Sequence, residues 1–261
     1  MRTVSAALNV AIATVMLAGC HAPSAPPVKA AEAAVARSVT KNAEPVAPQP
    51  AVGALFLGAT DTHTCTASVV HSTGRNLILT AAHCLTAGLP VTFTPAFDDK
   101  ADPGDAWTVD AVYLDPRWLA TQDPKADYAF ARVSRAAGGA VESVAGQALT
   151  LGTAPGDATP VTVVGYPLGV GGPPLGCDTT AGRDPGGYPS LRCGGLVDGT
   201  SGGPWIKGST VVGVIGGRDG GGCQDNISYS PPFDAATADL LARAEAGGPG
   251  DDAPMALDGD C

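Results

Sequence analysis

The chain has 261 residues, 35 of them glycine and 23 proline, and its formal net charge is −10. The 44% of hydrophobic residues is enough for a buried core, whereas so much glycine and proline indicates many loops and few long helices. An acidic chain without a lysine- and arginine-rich run repels phosphate backbones, so we expect no nucleic-acid partner. The length allows one or two domains.

The first 19 residues have the pattern of an export signal. Arg2 precedes a mostly apolar stretch from Val4 to Leu17, which is shorter than the about 20 residues that a membrane span needs. The next motif, "LAGC" at residues 17–20, resembles the lipobox of bacterial lipoproteins, whose signal is cut before a cysteine that becomes lipid-modified. We therefore expect a lipoprotein signal peptide at 1–19 and an anchor on Cys20. The protein would then be exported, and lie at the outer face of the cell membrane or be secreted. The alternative is an ordinary secretory signal with a coincidental cysteine.

Composition divides the rest of the chain into three parts. Residues 20–50 are rich in alanine and proline and predict a flexible tether. From residue 51, short β-type runs such as "NLILT" and "TPVTVVG" are interrupted by glycine, proline and aspartate, as in an all-β barrel or sandwich. One helix is predicted late, from an N-cap at Asp234 to a stop at Gly247. The domain is expected to span 51–246, followed by an acidic tail at 247–261.

The stretch "GTSGGPW" at residues 199–205 surrounds Ser201 with glycines. It predicts either a turn or a nucleophile to which a substrate carbonyl has close access. The pattern G-x-S-x-G also occurs at the nucleophile of α/β-hydrolases, but those enzymes need a histidine after the serine. All four histidines of this chain precede Ser201: His21, His63, His71 and His83. The α/β-hydrolase interpretation is therefore excluded.

Three motifs occur in the order histidine, aspartate, serine: "TAAHC" with His83, "ADYAFARV" with Asp127, and "GTSGGPW" with Ser201. This order and these motifs resemble the trypsin-like serine proteases, in particular their bacterial branch, over about residues 51–243. The resemblance implies a chymotrypsin-like fold of two antiparallel six-stranded β-barrels with a C-terminal α-helix. It also implies a monomeric serine endopeptidase that acts on protein or peptide substrates without a cofactor.

The resemblance assigns a role to each motif residue. His83 would be the general base, Asp127 would orient it, and Ser201 would be the nucleophile. The backbone N–H groups of Gly199 and Ser201 would form the oxyanion hole. Three other aspartates compete for the acid role, although turn residues surround them or no alternating strand follows: Asp110, Asp115 and Asp123.

Two points remain open beside these roles. His63 and His71 lack a motif and are expected at the surface or in turns. A different class of function, a catalytically silent binding module at the cell surface, is the alternative to an enzyme.

Seven cysteines are present, and lipidation of Cys20 would leave six for disulfides. By resemblance, Cys65–Cys84 would clamp the histidine loop. Cys177–Cys193 and Cys223–Cys261 are the further expected pairs, with Cys193–Cys223 as the rival. No C-x-x-C motif occurs, so no metal site is expected.

The sequence also departs from the animal members of this family. Thr200 stands where they have an aspartate that pairs with a new N-terminus, so that activation switch is not expected here. No acid occupies Gly195 or Leu196, where trypsin-type specificity would need one, and Val214 and Ile215 stand where glutamate-specific relatives have a histidine. Arg218 could reach into the pocket and favour acidic substrate side chains. The favoured expectation is that it is a solvated loop arginine.

Overall fold

The computed structural model describes residues 41–100, 104–222 and 226–255. In the first half, six strands of alternating or fully apolar sequence pair antiparallel and close into a barrel in the order β2-β3-β4-β7-β6-β5. The strands are β2 (Val52–Leu57), β3 (His63–Val70), β4 (Leu77–Thr80), β5 (Val91–Pro95), β6 (Trp107–Leu114) and β7 (Ala129–Ser134).

The second half is a sheet in the order β14-β11-β10-β9-β12-β13-β8, with β1 added beside β10. Its strands are β1 (Glu44–Pro45), β8 (Thr150–Leu151), β9 (Pro160–Gly165), β10 (Leu175–Arg183), β11 (Pro189–Arg192), β12 (Pro204–Lys207), β13 (Thr210–Val214) and β14 (Ile227–Tyr229). The predicted chymotrypsin-like all-β class is confirmed. The strand count differs from the expected six, because this sheet has eight strands, of which β1 and β8 contain only two residues each.

The described residues form three α-helices: α1 (Pro116–Thr121), α2 (Val141–Ala145) and, after the last strand, α3 (Ala235–Ala246). The third is the predicted C-terminal helix, and both ends are as expected. Asp234 accepts from the N–H of Ala236 and forms a capping box with Thr237, and Gly247 ends the helix at φ 75°. None of the helices in the described ranges has the length and hydrophobicity needed to cross a bilayer.

The folded unit extends beyond the expected limits of residues 51 and 246. Residues 41–50, expected to belong to the tether, include β1, and Ala43 donates its N–H to the carbonyl of Gly194 (2.7 Å). The first part of the expected acidic tail packs along β6, where Asp251 donates its N–H to the carbonyl of Val112 (2.7 Å). Backbone hydrogen bonds hold both segments to strands, and such bonds leave no hydrophobic periodicity in the sequence.

One hydrophobic cluster joins the two halves. It combines Phe56, Tyr128 and Phe130 of the first half with Val164, Tyr166 and Val214 of the second, all of them almost fully buried. Burial of large apolar side chains is the main favourable term in folding, so this shared core fixes the halves against each other. Residues at the ends of strands along this junction are thereby held in a constant geometry.

Candidate active site

His83 lies in a short 3-10 turn, Ala82–Cys84, just after β4. Both neighbours of the histidine are buried, and Cys84 forms a disulfide with Cys65 on β3. The imidazole itself remains 30% exposed and lines a cleft. The "TAAHC" motif therefore fixes the backbone on both sides of His83 and leaves the imidazole ring accessible.

Asp127 follows the 3-10 turn Pro124–Ala126 and has a side chain that is only 2% exposed. Its Oδ2 lies 2.7 Å from Nδ1 of His83, and its Oδ1 accepts from the backbone N–H of His83 at 2.9 Å. The N–H of Gly217 in the second half also donates to Oδ2, at 2.7 Å. Because an ionised carboxylate can only accept, Nδ1 carries a proton and Nε2 of the neutral ring is left as the basic atom.

The contact between His83 and Asp127 shifts the pKa of both residues. Burial opposes the charge on His83, but attraction and hydrogen bonding to Asp127 outweigh it and raise the pKa of the imidazole above 6.5. Burial likewise disfavours ionised Asp127, but His83 and the N–H of Gly217 hold its pKa below the usual 3.8. The carboxylate is therefore ionised at neutral pH, and the ring becomes protonated at a higher pH than a free imidazole.

The three competing aspartates have other partners. The buried carboxylate of Asp115 receives two bonds from the Arg117 side chain (2.8 and 2.9 Å) and one from the hydroxyl of Tyr128 (2.7 Å). Asp123 caps the turn before Asp127, and Asp110 accepts from Ser134. Among these four candidates, the hydrogen bonds of the described residues link only Asp127 to His83.

Ser201 lies in the loop before β12, and its backbone is fixed from both halves. Its carbonyl accepts from the N–H of Thr66 on β3 (2.8 Å), and the next N–H, that of Gly202, donates to Ile215 (2.7 Å). The side chain is partly exposed and lines the same cleft as His83 and Asp127. No hydrogen bond joins its hydroxyl to His83 in the described structure, and such bonds often tighten only when substrate binds.

The backbone before Ser201 presents two unused donors. Thr200 and Gly203 donate their N–H groups within the loop, whereas those of Gly199 and Ser201 have no acceptor among the described residues. The preceding carbonyl, that of Asp198, accepts from the N–H of Leu168 at 2.6 Å. In a trans peptide the C=O and the following N–H point in opposite directions, so this bond turns the N–H of Gly199 away from Leu168.

The cleft has a volume of about 630 Å³. It is lined from the first half by His83, Leu85 and Trp118, and from the second half by Asp198, Ser201 and Gly217. The sulfur atoms of Cys65 and Cys84 lie close to His83, but a disulfide has no thiolate to offer a metal ion.

The remaining predicted residues have diverse environments. His71 is exposed, as expected, and contacts Glu142 at 2.9 Å. The expectation for His63 was wrong: this histidine is fully buried among aromatic rings, and its Nε2 donates to the carbonyl of Gly171 at 3.0 Å. Arg218 is bound to Asp184 and stacks over Tyr229, so its guanidinium is not a free cation of the pocket.

The two disulfides within the described ranges are the expected Cys65–Cys84 and Cys177–Cys193. The Cys177–Cys193 bond leaves no place for the rival Cys193–Cys223. The proposed lipidation site Cys20 and the pair Cys223–Cys261 lie outside the described residues.

Four residues contribute to the site in ways that the sequence did not indicate. The N–H groups of Gly217 and Leu168 act through the backbone, which no side-chain motif reveals. Pro254 and Met255, which also line the cleft, come from the segment that was expected to be a tail. The sequence shows only that Pro254 lies near the end of the chain, and this position does not indicate that it lines a cleft.

Solved structures with the same fold are numerous. Protease Anisep from Arthrobacter nicotinovorans is 23% identical over 78% of this chain and 100% of its own, with a TM-score of 0.67. The thermostable serine protease AL20 from an extremophilic microorganism is 24% identical over 77% and 99%, with a TM-score of 0.64. A Glu endopeptidase is 17% identical over 79% and 98%, with a TM-score of 0.62. At these identities the similarity establishes the fold.

A search of curated protein sequences found no match. A family model does match: the model of the trypsin-like peptidase domain covers residues 65–214, which include His83, Asp127 and Ser201. This match spans more than half of the chain and agrees with the fold and with the residues that meet in the cleft. The chain belongs to the family of trypsin-like peptidase domains.

Proposed function

We propose that this protein is an exported, lipid-anchored serine endopeptidase that works through His83, Asp127 and Ser201. The observation that carries the proposal is the hydrogen bond between Nδ1 of His83 and the buried carboxylate of Asp127 (2.7 Å), in the cleft that Ser201 also lines. This bond leaves Nε2 as a base on the accessible side of the ring. A serine hydroxyl needs such a base to become a nucleophile at neutral pH.

The reaction would proceed in two stages. Nε2 of His83 takes the proton of Ser201 as Oγ attacks the carbonyl carbon of the substrate peptide, and a tetrahedral intermediate forms. The intermediate collapses as the C–N bond breaks, and His83 gives its proton to the leaving amine. Water, deprotonated by the same histidine, then hydrolyses the acyl ester and restores the free hydroxyl of Ser201.

The unused N–H groups of Gly199 and Ser201 supply the proposed oxyanion hole. One N–H belongs to Ser201 itself and the other lies two residues before it. The loop already orients both groups, so they need no reorganisation when negative charge develops on the substrate oxygen. Asp127 would stay ionised and stabilise the imidazolium that forms on His83. These contributions favour an active enzyme over a silent binding module.

The experiment that tests this proposal is labelling with a fluorophosphonate, which reacts with activated serines. We expect rapid stoichiometric labelling of Ser201, identified by mass spectrometry, together with cleavage of a denatured protein substrate. Ser201→Ala and His83→Ala should each abolish both signals, and the double variant should lose little more than either single one. The matched controls are Ser209→Ala, in an exposed turn, and His71→Ala, at the surface. Full hydrolysis by Ser201→Ala would refute the assignment.

The proposed lipid anchor needs its own test, because it rests on the motif at residues 17–20. Protein from its native host should begin at a diacylated Cys20 and fractionate with membranes, and Cys20→Ser should release it or block its processing. Soluble protein that is cut elsewhere and has an unmodified Cys20 would remove the anchor from the proposal. The peptidase assignment would not be affected.

A further inference from the structure

The chain does not end at α3 but returns to the cleft. Residues 248–255, here called the C-terminal strap, run along β6 and are fixed to it at Asp251. The carboxylate of Asp251 accepts from the N–H of Leu114 (2.7 Å) and pairs with the guanidinium of Arg243. Gly250 lies so close to the strand that a Cβ atom there would be 2.7 Å from the nitrogen of Val112. The strap therefore has a defined path that a bulkier residue would block.

The end of the strap is bound to both segments that carry the His83–Asp127 pair. The carbonyl of Pro254 accepts from the N–H of Ala87, four residues after His83 (3.4 Å). The carbonyl of Met255 accepts from the side-chain amide of Gln122, five residues before Asp127 (3.3 Å). Because these two contacts are backbone carbonyls, the side chains of Pro254 and Met255 are left to line the cleft.

The chemistry of this part of the cleft is apolar. Pro254 and Met255 line it together with Leu85, Trp118 and the Cys65–Cys84 disulfide. The Met255 side chain is 72% exposed, more than any other large hydrophobic side chain in the described part of the chain. Methionine is flexible and polarizable, so it adapts well to apolar side chains of different shape. An apolar group placed against it would remove apolar surface from water, which is favourable.

The charges around the cleft disfavour an acidic ligand. Asp198 and Asp219 line it from the second half, and the Arg218 that contacts Asp219 (3.4 Å) does not line the cleft. None of the described residues that line this cleft is a lysine or arginine. A substrate carboxylate at this position would meet like charges and would lose hydration without a partner.

We propose that Pro254 and Met255 form a specificity-determining wall of the cleft, which selects an apolar substrate side chain next to His83. This rests on the proposed peptidase function. The wall touches the substrate side chain but not the reacting atoms, so it acts on substrate choice and leaves the chemistry of Ser201 unchanged. The enzyme would therefore prefer substrates with an apolar residue close to the cleaved bond and discriminate against aspartate and glutamate there.

The test is a cleavage profile of a peptide mixture, read by mass spectrometry, for the wild type, Met255→Ala and Met255→Lys. Pocket contacts of this size change substrate discrimination by about tenfold or more. Met255→Ala should lower the apolar-over-acidic ratio of kcat/KM about tenfold, and Met255→Lys should move it further toward acidic residues. Fluorophosphonate labelling of Ser201 should remain stoichiometric, because the wall does not touch the reacting atoms. Val144→Ala removes another exposed apolar side chain (46% exposed), from α2 and outside the cleft, and should leave the profile unchanged.

Two truncations separate the wall from the residues that follow it. A chain ending at Met255 should keep the wild-type profile, whereas one ending at Ala253 should behave like Met255→Ala. Normal labelling with unchanged profiles in all variants would overturn the wall and leave the peptidase intact. A uniform rise in activity toward every substrate after truncation would instead identify the strap as an inhibitory cover. That result would also overturn the proposed wall. A wild type that neither labels nor cleaves would refute the proposed function, and the wall with it.

Discussion

The backbone N–H of Leu168 donates to the carbonyl of Asp198 across 2.6 Å. This one bond sets the orientation of the peptide between Asp198 and Gly199, and therefore the direction of the N–H that we assign to the oxyanion hole. Gly199 takes part in the same close approach, because a Cβ atom on it would lie 2.1 Å from the nitrogen of Leu168. Its φ of +88° is also one that residues other than glycine rarely adopt.

The first prediction is that Gly199→Ala inactivates the enzyme. The added methyl group must displace the Leu168 segment or rotate the peptide, and loss of one oxyanion donor costs about 10²–10³ in kcat. Steady-state kinetics should show this loss mainly in kcat. The control is Gly187→Ala, where φ is similar (+85°) but no atom lies within 4 Å of the new Cβ. If both variants lose activity equally, backbone strain rather than the oxyanion hole explains the effect.

The second prediction concerns pH. The proposed mechanism needs neutral His83, and Asp127 raises the pKa of this imidazole, so kcat/KM should rise with pH through a midpoint above 6.5. Asp127→Asn should lower that midpoint, because the carboxylate that stabilises the imidazolium is gone, and should reduce the plateau by about 10⁴-fold. A pH–rate profile of both proteins measures the two effects. An unchanged midpoint in the variant would show that another group controls the profile.

The same pair predicts the sign of a stability effect. Since the folded-state pKa of His83 is raised, its contribution to stability is complete below pH 6.5 and is lost as the pH rises through that higher pKa. The free energy of unfolding of His83→Ala should therefore approach that of the wild type on the alkaline side. Urea titrations at a series of pH values would contradict this if the difference grew with pH.

The third prediction concerns Asp115, which was a candidate acid and is instead part of a buried polar cluster. Burial opposes its charge, but hydrogen bonds from Arg117 and Tyr128 lower the pKa of Asp115 to about 2. A lowered pKa adds stability above the ordinary value of 3.8, and this stability disappears as the pH falls through about 2. Asp115→Asn should lower the free energy of unfolding at neutral pH by about 2 kcal/mol, with little difference left near pH 2. Urea denaturation checks this, and Asp110→Asn, near the surface, should change it by less than about 0.5 kcal/mol.

The fourth prediction separates two disulfides of similar span, Cys65–Cys84 over 19 residues and Cys177–Cys193 over 16. Replacing both cysteines of either pair by alanine should lower the free energy of unfolding by about 3 kcal/mol. Only loss of the first pair should reduce activity per folded molecule, because Cys84 is bonded to His83 along the backbone. Active-site titration of the folded fraction distinguishes the two. Equal activity losses would mean that the 3-10 turn with His83 does not depend specifically on the Cys65–Cys84 disulfide.

The features that sequence could predict are those with a local signal. The "TAAHC" motif begins at the last residue of the buried strand β4, and its alanines and cysteine are buried as their size and polarity favour. The helix from Asp234 to Gly247 has a capping residue, an apolar face and a stop within one stretch of sequence. Because all these signals lie within a few residues of the feature, the motif positions and the helix could be found without a structure.

Features that depend on distant partners could not be found in this way. His63 has polar neighbours in the sequence, "DTHT", but Phe56, Phe97 and Tyr166 surround it in the fold. The strap is glycine-rich and acidic, which predicts disorder, yet one ion pair and a series of backbone contacts hold it in place. Neither an aromatic environment built from three segments nor a backbone contact leaves a periodic trace in the chain.

The carboxylate of Asp127 is bound by His83 from the first half and by the N–H of Gly217 from the second. The proposed triad, and the third hydrogen bond of its carboxylate, thus come together only while the two halves are joined, and this suits the protein to fragment complementation. A cut in the exposed stretch at residues 135–139, between β7 and α2, would leave His83 and Asp127 on one piece and Ser201 and Gly217 on the other. Neither piece alone would hydrolyse a peptide. Fused to two proteins that bind each other, the pieces would report that binding as proteolysis, an amplified signal from a single association event.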